Sequence, residues 1–245
     1  MGNYATVNYA TSPPQVDIAR NYNASVDLID RNLERGLANK TALIDNDGCY
    51  TCAELAERVK RAGNALQKAG AEMETRAMLW LLDDVDFPSV FLGAIRTGVI
   101  AISVNTLLTS NDYDYMLRDS RARIVVVSDT LLERFEPILA GQPHLKTVVV
   151  AGTQSTGHQH LQTLMAQATA CADVAPTTAD ETAFWLYTSG STGGPKGSIH
   201  LHSDLVVTAA LYAKPVLGIT QDVVVFSAAK YFFAYGLGNS FTFPL

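Results

Sequence analysis

At 245 residues, with 48% hydrophobic and 17% charged side chains, the chain has the composition of a globular protein, one large or two ordinary domains long. Its net charge of −6, with no run of lysines or arginines, argues against a nucleic-acid surface and a polybasic membrane patch. No stretch reaches the roughly eighteen apolar residues of a membrane span, and the polar lead lacks the pattern of a secretory signal, so a cytoplasmic protein with small-molecule partners is expected.

After residues 1–24, Val26, Ile29 and Leu33 recur at helical spacing, and Thr41 to Ile44 form an apolar run ended by the turn signal Asp45-Asn46-Asp47-Gly48. From Cys52, the residues Leu55, Val59, Ala62 and Leu66 mark an amphipathic helix that Gly70 stops. Met78 to Leu82 reads as a buried strand. Helices are then predicted near Val90 to Thr97, Asp112 to Asp119 and Leu131 to Leu139, each followed by a strand: Val99 to Val104, Ile124 to Val127 and Thr147 to Val150. Strands rich in β-branched residues that alternate with helices predict an α/β protein with a largely parallel sheet, covered on both faces. A helix near His160 to Ala168 and a connector, Ala175 to Thr178, end a first subdomain over 25–178. Residues 179–245 begin a second, with a strand Thr182 to Tyr187, a helix from about Asp204 to Tyr212, and a strand Asp222 to Ser227.

Between strand and helix lies Tyr187-Thr-Ser-Gly-Ser-Thr-Gly-Gly-Pro-Lys-Gly197. Glycines let backbone N–H groups converge on an anion. Thr188, Ser189, Ser191 and Thr192 add hydroxyls, and Lys196 adds a charge suited to phosphoryl oxygens. A glycine-rich loop between a strand and a helix stands where open α/β sheets bind ligands. It is not the nucleotide-triphosphatase loop: Pro195 and Gly197 occupy positions where that pattern needs glycine and a hydroxyl residue. A nucleophile elbow fails as well, because Ser191-Thr192-Gly193 puts threonine in the nucleophile's place.

Cys49, Cys52 and Cys171 are an odd count without a secretory signal, so structural disulfides are not expected. The Cys49–Cys52 spacing is that of half a zinc site, but no second pair completes it, and Thr51 with Glu54 reads as a helix capping box. His200 with His202, and His158 with His160, likewise lack further ligands, so no metal site is expected.

The segment from Tyr187 to Gly197 resembles the signature of the adenylate-forming superfamily, which unites acyl-CoA synthetases, luciferases and adenylation domains. Two further stretches are similar to benzoate and hydroxybenzoate CoA ligases. One is Phe226-Ser-Ala-Ala-Lys-Tyr-Phe-Phe-Ala-Tyr-Gly-Leu-Gly-Asn239 with Phe241 to Leu245; the other combines Phe91-Leu-Gly-Ala94 with Val104 to Thr109.

The resemblance implies ATP-dependent activation of an aromatic carboxylate as an acyl-adenylate and its transfer to CoA, with Mg²⁺ accompanying ATP. It implies that Thr188, Ser189, Gly190, Ser191, Thr192, Gly193, Gly194 and Lys196 hold the ATP phosphates, with Lys196 steadying departing pyrophosphate. Gly194 falls at the position where some relatives carry arginine. Ala234, Tyr235 and Gly236 would line the acyl pocket, with Ala234 and Gly236 leaving room for the ring. His202 falls where the superfamily often has a histidine, and Lys230 is left without a role.

The superfamily's adenine and ribose motifs, hinge and C-terminal domain with the adenylation lysine are not in the sequence. The chain is therefore expected to be a truncated N-terminal portion, inactive alone; a homodimer is left open. The alternatives are a non-catalytic phosphate-binding α/β module, an adenylate-forming enzyme for a non-aromatic acid, and a kinase or other NTPase, the last disfavoured by the missing lysine-hydroxyl step.

Overall fold

The computed structural model describes residues 3–154, 156–170, 173–188 and 194–245. A small antiparallel pair, β1 (Thr6–Asn8) and β2 (Gln15–Asp17), leads to helix α1 (Ala24–Glu34), whose first turn is capped by the Asn23 side chain accepting from the Ser25 and Val26 amides. The turn expected at Asp45 to Gly48 closes a second antiparallel pair, β3 (Thr41–Ile44) and β4 (Cys49–Thr51). There the Asp45 carboxylate accepts from the Asp47 and Gly48 amides.

Helix α2 (Cys52–Lys68) starts on the expected capping box, Thr51 accepting from the Glu54 amide and Glu54 from the Thr51 amide. That accounts for Cys52, which is buried at the start of the helix. The helix stops at Gly70, where φ is +94° and the Gly70 and Ala71 amides donate to the Gln67 and Leu66 carbonyls. A side chain would be strained in that left-handed closure.

The elements that follow are β5 (Arg76–Trp80), α3 (Asp86–Arg96), β6 (Ile100–Ser103), α4 (Ser110–Ser120), β7 (Ile124–Ser128), α5 (Asp129–Leu139), β8 (Thr147–Ala151), a two-residue β9 (Gln159–His160) and α6 (Leu161–Ala166). After them come β10 (Thr182–Thr188), β11 (Lys196–Leu201) and α7 (His202–Thr208), which continues as a π-helical segment, Ala209–Ala213. Seven strands form one sheet in the order β11-β10-β6-β5-β7-β8-β9, so the sheet runs across residue 178. Every pairing in it is parallel except β10 with β11.

Alternation along β5 divides the core into two. Ala77 and Leu79 pack with α1, α2, α3 and α6 on one face, and Met78 and Trp80 with Tyr113, Met116 and Phe135 of α4 and α5 on the other. This is the α/β sheet covered on both faces that the sequence predicted. Helices α2 and α3 cross closely because Gly63 and Gly93 face each other; a Cβ on Gly93 would lie 2.7 Å from the Gly63 nitrogen and 2.8 Å from the Val59 carbonyl oxygen.

Two expectations need correction. The segment from Tyr187 to Gly197 does not lead from strand to helix: it joins β10 to the antiparallel strand β11, in which Thr188 stands opposite Lys196, and α7 starts only at His202. Strand Asp222 to Ser227 is also absent. That segment is irregular, with Val224 82% and Phe226 91% exposed, because no described strand lies beside it to complete a ladder.

Candidate functional site

Because β5, β6, β7, β8 and β10 run parallel, their carboxyl ends share one edge of the sheet. Thr188 closes β10 at that edge, and Lys196, exposed, opens β11 opposite it. The Thr188 hydroxyl and the Lys196 ammonium are donors that suit phosphate oxygens. Gly194 is exposed as well. The remaining expected phosphate ligands, Ser189, Gly190, Ser191, Thr192 and Gly193, lie outside the described residues, as does Cys171.

The aromatic segment is tied to the same edge. Asp83, three residues beyond the end of β5, accepts from the Tyr231 amide at 3.2 Å and lies 3.6 Å from the Lys230 ammonium, which gives Lys230 a partner the sequence did not reveal. Burial is the largest influence on the Asp83 carboxyl and moves it above the usual carboxylate range, against the pull of the Tyr231 amide and Lys230. One strand, β6, separates β5 from β10, so their ends are about 10 Å apart, two strand spacings. The fold thus brings to one edge two motifs separated by some thirty residues in sequence.

Beyond this anchor, Tyr231 packs against Phe87 and Phe241, with ring centroids 5.2 and 5.6 Å away. Phe232 is buried and Phe233 half-exposed, their rings 4.6 Å apart. Ala234, Tyr235 and Gly236 belong to a short helix, α8 (Ala234–Leu237), and Tyr235 is 68% exposed. Gly236 is buried, and the space beside it is taken by backbone: a Cβ there would sit 2.2 Å from the Lys230 carbonyl oxygen and 2.5 Å from that of Ala229. Glycine at 236 is therefore already required by the turn that carries Tyr235.

His202 is buried at the start of α7. Its Nδ1 accepts from the Ala24 amide at 3.2 Å and its own amide donates to the Glu181 carbonyl, so it joins the start of α1 to that of α7. Burial pushes its imidazole down to about 4, and it is neutral at neutral pH. Of the other histidines spaced in pairs along the sequence, His200 stacks on Phe184 with centroids 4.6 Å apart, and His158 lies 2.9 Å from Glu136. Among the described residues no group of three or more His, Cys, Asp and Glu could hold a metal ion.

Sequence reasoning missed the residues of the neighbouring elements that hold this edge. Tyr187 donates its hydroxyl to Asp119 at 2.7 Å, and the Tyr115 ring lies against Gly194. Asp84 is pushed up to about 6, by burial first and then by the charges of Asp86 and Asp45. Asp83 and Asp84 carried a usable signal, two carboxylates directly after a buried strand; Tyr115 and Asp119 carried none, since a helix facing solvent has many such residues.

The architecture is that of the adenylate-forming enzymes. It superposes on an anthranilate CoA ligase solved in complex with anthranoyl-AMP with a TM-score of 0.89 at 34% identity, covering 93% of this chain and 44% of that one. For a benzoate CoA ligase from Burkholderia xenovorans LB400 the TM-score is 0.82 at 42% identity, covering 91% and 43%. The profile of the AMP-binding enzyme family matches residues 29–245, and the chain belongs to that family. It is 51% identical over 242 residues to a benzoate–CoA ligase of Thauera aromatica and 43% identical over 226 to a 4-hydroxybenzoate–CoA/benzoate–CoA ligase of Rhodopseudomonas palustris. These alignments cover 98% and 92% of this chain but 46% and 42% of those proteins, so the chain spans a little under half their length.

Proposed function

We propose that this chain is the N-terminal portion of an AMP-forming acid–thiol ligase that activates benzoate or a substituted benzoate and passes the acyl group to CoA. What carries the reading is the 51% identity to a benzoate–CoA ligase, which over 242 residues spans both the loop and the aromatic segment. A carboxylate is a poor acyl electrophile because attack on it must expel an oxide. In the first half-reaction a carboxylate oxygen attacks the α-phosphorus of ATP and pyrophosphate leaves; in the second, the CoA thiolate attacks the acyl carbon and AMP leaves.

Both steps move negative charge among phosphates, so the contribution of this chain is positioning and electrostatic stabilisation. Thr188, Ser189, Gly190, Ser191, Thr192, Gly193 and Gly194 hold the β- and γ-phosphates, and Lys196 offsets charge on the departing pyrophosphate. Mg²⁺ accompanying ATP would add charge neutralisation beside the donors of this loop. Ala234 and Tyr235 face the aryl ring, while Gly236 lets the turn close behind them. The adenine-binding residues and the adenylation lysine belong to a C-terminal portion, without which the chain does not turn over, and the enzyme works in the cytoplasm.

The test is benzoate-dependent exchange of labelled pyrophosphate into ATP by the chain joined to such a C-terminal portion. Exchange with benzoate that falls at least about a hundredfold in Lys196→Ala is the expected result, the scale of a lost charge-stabilising donor. Exchange driven equally by acetate would sink the aromatic assignment.

A further inference from the structure

The turn that carries Asp83 is fixed on both sides. Before it, the Leu82 amide donates to the Ser128 hydroxyl at the end of β7 at 3.0 Å; after it, the Val85 amide donates to the Asp45 carboxylate at 2.9 Å. Asp86 then opens α3 and pairs with Arg58 of α2 at 2.6 Å. Asp84 turns back on this loop, its carboxylate accepting from the Asp86 amide. Asp83 instead reaches across to a segment 148 residues later, where it accepts from the Tyr231 amide and faces the Lys230 ammonium.

What Asp83 holds is the part of that segment on which α8 is seated. The Lys230 carbonyl accepts from the Phe233 amide at 3.0 Å, which turns the chain towards α8. Gly236 then lies against the Ala229 and Lys230 carbonyls so closely that no side chain fits between them. The Tyr231 ring is fixed in the same place by Phe87 of α3 and by Phe241. A displacement of Lys230 and Tyr231 is therefore passed by backbone contact to Gly236 and to its neighbours Ala234 and Tyr235. A carboxylate is a costly choice if the turn only had to close. Burial disfavours its charge, and the Lys230 side chain is more than half exposed, so the ion pair adds little stability in return.

We propose that Asp83 is a positioning residue for the acid subsite: through the Tyr231 amide it fixes the backbone of residues 229–231, and through that backbone the place of Ala234 and Tyr235 against the ring of an aromatic acid. This rests on the reading of Ala234 and Tyr235 as the residues that face the aryl ring. The oxygen that accepts from Tyr231 carries the effect, and the exposed Lys230 pair adds little to it. The effect is selective for the acid. ATP, held on the reading above by residues of β10 and β11, is bound two strand spacings away from the end of β5.

The experiment measures pyrophosphate exchange across benzoate and ATP concentrations, with the chain joined to the C-terminal portion, alongside thermal unfolding. Asp83→Ala should raise KM for benzoate about tenfold, the scale of one lost hydrogen bond to a charged group, and leave KM for ATP within about twofold of the parent. Asp83→Asn keeps an oxygen for the Tyr231 amide and gives up the charge facing Lys230, so both constants should stay within about twofold of the parent. If Asp83→Ala does not fold, Asp83→Glu takes its place: its oxygens lie one methylene further out, and KM for benzoate should rise about threefold with KM for ATP unchanged. A parent-like KM for benzoate in Asp83→Ala, or in Asp83→Glu where that replaces it, overturns the positioning role while the aromatic assignment stands. An equal rise for benzoate and ATP, or a fall in kcat alone, also overturns it, since either marks a general loosening of the edge. An Asp83→Asn variant as impaired as Asp83→Ala would refute the part given to the Tyr231 hydrogen bond. A parent without benzoate-dependent exchange removes the acid subsite, and this proposal with it.

Discussion

Two runs of valine in this chain meet opposite ends. Ile124–Ser128, Ile-Val-Val-Val-Ser, is the wholly buried strand β7, hydrogen-bonded to β5 on one side and β8 on the other. Residues 222–227, Asp-Val-Val-Val-Phe-Ser, have the same local preference but form no strand and leave Val224 and Phe226 in solvent. The difference lies in what stands beside each run. A β-branched side chain favours a pleated surface only when neighbouring strands complete the ladder and cover its faces. Around β7 two parallel neighbours, β5 and β8, and two layers of helix do so; around residues 222–227 the described residues supply neither.

The sharpest way to break the contrast is to open the core beside β7. Trp80 ends β5 opposite Val127 and stacks on Phe135 at 4.2 Å and near Tyr113 at 5.3 Å. Trp80→Ala should cost about 4 kcal/mol in urea unfolding, the usual cost of emptying so large a buried site. Next comes the helix layer over the other face. Gly93→Ala should cost about 3 kcal/mol, because the added methyl meets backbone of α2 rather than a yielding side chain.

A pH experiment probes the seam between α1 and α7. His202 has its imidazole lowered to about 4 in the folded protein, against an ordinary 6.5, so the unfolded chain binds the extra proton first. Its contribution is intact above pH 6.5 and is lost as pH falls towards 4. At pH 5 that loss is about 2 kcal/mol. Asp84 works in the other sense. Raised from 3.8 to about 6, it favours the folded state at low pH and loses that contribution as pH rises through 6. The two partly cancel between pH 5 and 7, so the effect of His202 is read as the difference in pH dependence between the parent and His202→Gln. Equal slopes for both proteins would refute it.

The smallest expected effect lies in the irregular segment. Phe226→Ala should change stability by less than about 0.5 kcal/mol, since the ring is 91% exposed and loses almost no packing. A cost near that of Trp80→Ala would mean that this segment is covered in solution, and the contrast with β7 would disappear.

Helix α2 was legible from end to end. Thr51 and Glu54 announced the start of α2 and Gly70 its end, because capping is decided within a few residues of the helix terminus. The composition of the glycine-rich segment is what led to the proposal of a phosphate loop. Its setting was not legible: nothing within Lys196 to Leu201 distinguishes a strand that returns along β10 from a loop that feeds a helix, since the choice depends on a hydrogen-bonding partner elsewhere in the chain. The same limit hid Asp119, whose only mark is a contact with Tyr187, 68 residues away.

By itself, then, the sequence determined the alternation of helix and strand, the two-sided burial of the parallel sheet and the motifs that place the chain in the AMP-binding family. Those are properties of periodicity and local chemistry. The tertiary structure decided which valine run becomes a strand, that the loop joins two strands of a hairpin, and that Asp83 holds Lys230 and Tyr231 at the edge where β10 ends. Each of these depends on groups far apart along the chain, and contact between them arises only when the sheet orders its strands.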